Sequence, residues 1–294
     1  MNAAVAVAAH VSKPDWFASW FDSQYYHQLY AGRDDGEAAA FLDRLVTRLE
    51  PPSGAAILDL ACGAGRHSAY LGAKGFQVTG IDLSAASIAR ARARHAPNAR
   101  FVTQDMRQSF GDQGYDYVVS LFTSLGYFDE LAENLTVLKN VAMALKPGGT
   151  LVVDYLNVRH AEGRLVPHET VERDGTVFRI SRWSDDEAFF KRIVVQPRGT
   201  AQPLQFEERV AKINLADFSF MFALCGLEIE QRFGDYELSP FDAEQSPRLI
   251  LVARKMDGLG YLRERFLRMR LNVSGVMPRY EASIPCGTRC TIDG

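Results

Sequence analysis

The run Ile57-Leu58-Asp59-Leu60-Ala61-Cys62-Gly63-Ala64-Gly65-Arg66 decides the fold, because an apolar strand enters a glycine turn and a helix opens behind it. Gly63 and Gly65 allow left-handed backbone and let a ligand approach the main chain. The helix start beyond them favours negative charge. A glycine pair alone also serves tight packing in many α/β proteins. The acids that follow narrow the reading. Ile81-Asp82-Leu83-Ser84 ends the next strand in a carboxylate suited to ribose hydroxyls. Gln104-Asp105-Met106-Arg107 closes the third strand with a carboxylate beside an apolar side chain, suited to the edge and face of a purine. Three such signals in order, each at the C-terminal edge of a strand, point to a nucleoside site.

Outward from the turn, strands and helices alternate. Residues 56–60, 76–81, 100–103, 115–121 and 150–155 read as strands, with helices over 66–74 and 85–95 between them. A longer helix, expected to be capped by Asp129, carries Leu131, Leu135, Leu138, Val141 and Leu145 on one face and breaks at Lys146-Pro147-Gly148-Gly149. This alternation gives an α/β fold with a doubly wound, mostly parallel sheet. From 169 to 213 the pattern changes. Turn signals at Asp174-Gly175 and Ser184-Asp185-Asp186 separate the runs 177–183, 190–195 and 204–212, which read as an antiparallel β insertion after strand five. Residues 215–225 read as a helix ended by Gly226, and 228–233 and 249–253 as closing strands.

Upstream, residues 14–50 read as helical, with Trp16, Phe17, Trp20 and Phe21 at helical spacing and Pro51-Pro52 as the stop. The chain therefore divides into a leader and lid helix (1–35), a nucleoside-binding core (36–157), an antiparallel cap (158–214), the rest of the core (215–255) and a tail (256–294) with a basic amphipathic stretch at 261–271.

A formal net charge of −3 supplies no global attraction to nucleic acid or anionic lipid, so neither is expected as a partner. The alanine-rich start lacks the basic region of a signal peptide, and no run is long enough to span a bilayer. Cys62, Cys225, Cys286 and Cys290 show no CxxC spacing, and a reducing, cytoplasmic setting is expected. The cap leaves an edge strand that a second copy could pair with, so both a monomer and a homodimer through the cap are compatible with the pattern.

A nicotinamide dehydrogenase is the natural competitor. Its dinucleotide fingerprint wants a third glycine where Ser68 stands, and an acid at the end of the first strand, Asp59, suits a ligand without a pyrophosphate.

The core from Tyr26 to Asn157 resembles the class I S-adenosylmethionine-dependent methyltransferases. Asp59 through Gly65 is similar to their first motif, with Ala61 in place of the more usual glycine; Asp82 resembles the ribose-binding acid and Asp105-Met106 the adenine pair. Tyr26-His27-Gln28-Leu29-Tyr30, Gly32-Arg33 and Leu121-Phe122-Thr123-Ser124-Leu125-Gly126-Tyr127 look like those of small-molecule N-methyltransferases acting on amino sugars. The resemblance implies a Rossmann-like seven-stranded sheet, S-adenosyl-L-methionine as cofactor with S-adenosyl-L-homocysteine as product, and a small-molecule acceptor. It places the cofactor on Arg33, Asp59, Ala61, Cys62, Gly63, Gly65, Arg66, Asp82, Leu83, Asp105, Met106, Arg107, Leu121 and Phe122. The Gly65-Arg66-His67-Ser68 turn also resembles thiol- and tellurite-directed methyltransferases, which keeps a sulfur or chalcogen-oxyanion acceptor open. A non-catalytic protein that binds the cofactor is the third reading.

Methyl transfer from a sulfonium is an in-line displacement that needs alignment and exclusion of water rather than a triad or a metal, and no such constellation is visible. Tyr26 and Tyr30, four apart on one helical face, are the candidates to close over the reacting centre, against a reading as ordinary aromatic packing. Arg33 and Arg66 are candidates for the methionine carboxylate, which an arginine fork holds bidentately. His27, within the tyrosine motif, is the best placed of His27, His67 and His168 to act as a base. Tyr127 follows strand four, where an acceptor contact is expected.

Overall fold

The computed structural model describes residues 16–32, 35–200 and 202–256. The leader, Arg33 and the basic stretch at 261–271 lie outside these residues, as do Cys286 and Cys290.

Two short helices, α1 (Trp16–Phe21) and α2 (Gln24–Leu29), replace a single lid helix. The break is chemical: Ser23 has extended backbone and its hydroxyl accepts the Tyr26 amide at 3.1 Å, capping α2. Helix α3 (Asp35–Leu49) buries Ala38, Phe41, Leu42 and Leu45 along one stripe. It stops at Glu50, which takes left-handed backbone (φ 45°) ahead of Pro51.

The core then alternates β1 (Ala56–Leu60), α4 (Arg66–Ala73), β2 (Gln77–Asp82), α5 (Ala85–Ala93), β3 (Ala99–Thr103), β4 (Tyr115–Ser120), α6 (Leu131–Ala144) and β5 (Leu145–Leu156). Asp129 does not cap α6. Glu130 occupies that position without a side-chain cap bond, and Asp129 faces Arg209 at 3.4 Å instead. A short α7 (Val158–Gly163) follows, which the periodicity did not signal.

The insertion is a four-stranded antiparallel sheet, β6 (His168–Arg173), β7 (Thr176–Ser184), β8 (Ala188–Gln196) and β9 (Leu204–Ala211), joined in chain order. Asp174 and Gly175 both have positive φ (47° and 74°) between paired Arg173 and Thr176, as a two-residue hairpin turn demands. Helix α8 (Leu215–Leu224) opens on a capping box between Asn214 and Asp217. Strands β10 (Leu227–Phe233) and β11 (Arg248–Lys255) complete a seven-stranded sheet of order β10-β11-β5-β4-β1-β2-β3. All pairings are parallel except those of β11, which runs against both β5 and β10.

Strand order reverses between β1 and β4, so the crevice beyond their C-terminal ends is the natural ligand position. The cap closes that crevice from above. Its apolar face (Phe178, Ile180, Ile193, Val195) shares one buried cluster with Trp16, Phe17 and Trp20 of α1 and with β5 and α6. The lid helices are thereby wedged between cap and core. Gly126 ties the two together: its carbonyl accepts the Ala211 amide at 2.8 Å, and Tyr155 donates to the Ala211 carbonyl at 2.6 Å.

Candidate active site

A cavity of about 570 Å³ opens at the C-terminal ends of β1, β2 and β4, within the range of small-molecule sites. Ala61, Cys62, Gly63, Ala64 and Arg66 form one wall. The two glycines of the turn do different work. At Gly63 (φ 56°) an added Cβ would meet nothing within 4 Å, so its backbone borders open space. At Gly65 (φ 75°) an added Cβ would press on Phe101 and Ala91 at 2.7–2.9 Å. Gly65 does not line the cavity; it lets α5 and β3 pack against the turn. Ala61 lines it in left-handed backbone (φ 54°), a strained conformation for a residue with a Cβ.

Asp82 is held by two backbone amides, Gly63 to Oδ2 and Ser84 to Oδ1, each at 2.8 Å. Each oxygen keeps lone-pair capacity for hydroxyl donors from the cavity. Burial pushes its carboxyl up, against those amide bonds. Asp59 is deeper, 1% exposed, and accepts the Ser68 hydroxyl at 2.6 Å. The residue that displaces the dinucleotide glycine is thus the partner of the buried acid. Burial pushes the Asp59 carboxyl up to about 7.

A narrow apolar cleft of about 50 Å³ continues from the cavity, sharing Phe21, Ala61, Asp82 and Tyr127 with it and walled by Leu83, Asp105, Met106 and Phe128. Its lining is apolar apart from Asp82, Gln104 and Asp105. Arg107 does not line either space. It pairs with Asp105 at 2.6 Å and Glu133 at 2.8 Å, and its guanidinium lies 4.9 Å from the Phe128 ring and 5.6 Å from Phe17. Arg107 therefore orients Asp105 and braces the lid. Burial works against the Asp105 carboxylate, yet the hydrogen bonds and charge of Arg107 leave it below the usual carboxylate range.

On the lid side of the cavity, Tyr26, His27, Tyr30 and Tyr127 line the wall. The rings of Tyr26 and Tyr30 stand 5.0 Å apart, and Phe21 lies 5.0 Å from Tyr26 and 5.2 Å from Tyr127. Burial, followed by the Arg90 charge, holds the His27 imidazole below its ordinary pKa, so it is neutral at pH 7. Its Nε2 is buried with no hydrogen-bond partner among the described residues. Arg66 lies over Phe122 at 4.4 Å, and Phe122 stacks on His67 at 5.0 Å, bringing Leu121, Phe122, Arg66 and His67 to one wall. His168 sits on exposed β6 and is not brought to the cavity.

Several contributions were missed in the sequence. Asp22 accepts from the Ser84 hydroxyl (2.8 Å) and the Ala86 amide (2.9 Å), tying the lid to the start of α5. Glu208 and Val210 reach the cavity from β9, and Arg248 from β11. Glu208 carried a readable signal: β9 alternates, and a carboxylate falls between Phe206 and Val210 on its inward face.

Residues 57–149 match the family model described as a methyltransferase domain. The chain is 32% identical over 206 residues to the dTDP-3-amino-3,6-dideoxy-alpha-D-glucopyranose N,N-dimethyltransferase of Streptomyces fradiae, covering 68% of this chain and 80% of that protein. It is 29% identical over 214 residues to the dTDP-3-amino-3,4,6-trideoxy-alpha-D-glucopyranose N,N-dimethyltransferase of Streptomyces venezuelae, covering 70% and 89%. The solved structure of S-adenosylmethionine-bound CalS10, an amino pentose methyltransferase from Micromonospora echinaspora, superposes with a TM-score of 0.56 at 25% identity, covering 80% of this chain and 98% of that one. With the seven-stranded sheet and its glycine turn, these likenesses place the chain in the class I S-adenosylmethionine-dependent methyltransferase family. It is an enzyme of that class, and S-adenosyl-L-methionine is its cofactor.

Proposed function

We propose that the chain methylates a nitrogen of a small-molecule acceptor, an amino sugar by class, held between the lid helices and the cap. The observation that carries the reading is the continuity of one cavity from Asp82 and Gly63 to Tyr26, Tyr30 and Tyr127. Both curated relatives are named for N,N-dimethylation of a nucleotide-linked 3-amino sugar, which supports the acceptor class.

When bound, S-adenosylmethionine supplies a methyl group on a sulfonium sulfur, ready for in-line displacement. Asp82 would take the ribose hydroxyls on its unfilled lone pairs, with Leu83 at the rim. Asp105 and Met106 would meet the edge and face of the adenine. Gly63 and Cys62 would leave room for the amino-acid portion, Arg66 would hold its carboxylate, and Leu121 and Phe122 would wall it. Tyr26, Tyr30 and Tyr127 exclude water and present electron-rich faces and hydroxyls to cationic groups. Neutral His27 is suited to accept the proton that an ammonium acceptor must lose before its lone pair can attack.

Transfer of tritium from labelled S-adenosylmethionine to panels of amino sugars, thiols and tellurite tests the reading. Labelled amines are expected. Transfer confined to thiols or tellurite, or no transfer to any amine, would overturn the nitrogen assignment.

A further inference from the structure

The cap contributes a half-buried ion pair to the acceptor end of the cavity. Glu208 of β9 lies directly opposite Lys191 of β8 in the ladder, on the face shared with Ile193, Phe206 and Val210. Lys191 Nζ is 3.3 Å from both carboxylate oxygens. Glu208 Oε1 also accepts from Trp20 Nε1 at 2.6 Å and from the Tyr30 hydroxyl at 3.3 Å. Lys191 donates to the Tyr30 hydroxyl and sits 4.9 Å from the centre of that ring. The two charged side chains are only 15% and 17% exposed.

This arrangement is polarised. Glu208 and Tyr30 line the cavity, whereas Lys191 and Trp20 do not. The cavity therefore meets the negative member of the pair, and the positive member stands behind it. Glu208 Oε2 has Lys191 as its one partner among the described residues, which leaves acceptor capacity toward a bound molecule. Lys191, Trp20 and Tyr30 hold this carboxylate in place, so it meets the cavity as a fixed, charged hydrogen-bond acceptor. The ligand that fits is a cation bearing N–H donors. Tyr26 and Tyr30 add aromatic faces at the same end, which favour such a group further. A thiolate or a chalcogen oxyanion would meet like charge there.

We infer that Glu208 anchors the ammonium group of the acceptor, with Lys191 as a positioning residue behind it, and that this contact restricts the enzyme to acceptors arriving as ammonium ions. The inference rests on the nitrogen-acceptor reading and adds the group that enforces it.

The test uses the full chain saturated with S-adenosylhomocysteine. Ligand-observed NMR titrations compare cyclohexylammonium with cyclohexanol, probes of matched shape and different charge. The wild-type protein is expected to bind the ammonium about tenfold more tightly or better, the scale of a charge-assisted hydrogen bond. E208Q is expected to lose that preference while keeping its affinity for S-adenosylhomocysteine. K191M is expected to weaken the preference and K191R to restore it, a rescue that a merely structural role would not require. Equal binding of the two probes by the wild-type protein overturns the inference without recourse to any variant, as does a preference that survives in E208Q. Methyl transfer to thiols instead of amines would sink the nitrogen reading by a separate measurement, so the two failures are told apart.

Discussion

Asp154 Oδ1 accepts from Arg248 Nε at 2.7 Å, and the pair lies beneath the turn that carries Phe122 and Thr123. Both turn residues have left-handed backbone, with φ of 58° and 60°. Asp154 holds them through its carboxylate, which accepts the Phe122 amide at 2.8 Å, and its carbonyl, which accepts the Thr123 amide at 3.0 Å. Arg248 donates in turn to the Thr123 hydroxyl at 2.9 Å. One fully buried carboxylate thus supports both a strained cavity wall and an arginine at the cavity floor.

Asp154→Ala leaves Arg248 without its counter-charge and the Phe122 amide without its acceptor. Breaking a buried pair in this way costs about 3–5 kcal/mol. Urea unfolding should show a loss of that size, and a loss below about 1 kcal/mol would contradict the role given to the pair.

Asp59 sets a pH dependence. Burial raises its folded pKa to about 7, whereas an unfolded aspartate titrates near 3.8. Between those values the folded state binds more protons, so the stability contributed by Asp59 is full below about pH 4 and lost as pH rises through about 7. A cationic ligand in the cavity favours the charged carboxylate, so S-adenosylmethionine binding should tighten as pH rises from about 6 to 8, with proton release. Calorimetry in two buffers of different ionisation heat measures the released proton. Asp59→Asn should abolish both effects; an unchanged release would assign it to another group.

Ala61 bears a Cβ where left-handed backbone is required. The strain is roughly 1–2 kcal/mol and the added chain entropy of glycine about 0.4–1 kcal/mol, so Ala61→Gly should stabilise the free protein by a few tenths to about 1 kcal/mol. Thermal unfolding checks the sign. A lower melting temperature would show that the methyl group makes packing contacts worth more than the strain it brings.

The fold was legible wherever the signal was local. The Ile57–Arg66 run, the strand-ending acids and the Asp174-Gly175 hairpin each specify their own backbone, whereas the order of the strands in the sheet was read only from the structure. The site was legible where one motif holds the whole contact. Asp59, Gly63, Asp82, Tyr26 and Tyr30 reach the cavity as expected from the strand ends and the tyrosine spacing. Pairs that meet only in three dimensions left no trace: Asp154 and Arg248 lie 94 residues apart, and Trp20 and Glu208 lie 188 apart. Arg107 misled for the opposite reason. A carboxylate two residues away captures it before any ligand can, and periodicity does not report such local competition.

Arg66 offers the last prediction. If its guanidinium holds the methionine carboxylate, Arg66→Ala should weaken S-adenosylhomocysteine by about 10- to 100-fold, the range of a hydrogen bond to a charged group. Calorimetry reads this directly. Unchanged affinity would transfer the role to another residue and leave Arg66 as a stacking partner of Phe122.

The place of β11 between β5 and β10 imposes an order on assembly. Val152 and Ile250, both fully buried on neighbouring strands, belong to one apolar cluster, yet 98 residues of chain separate them. Until residues 248–255 have left the ribosome, β5 presents an unpaired hydrophobic edge. The nascent nucleoside-binding half must therefore wait for the last described strand before its sheet is sealed, and contacts so distant in sequence close slowly.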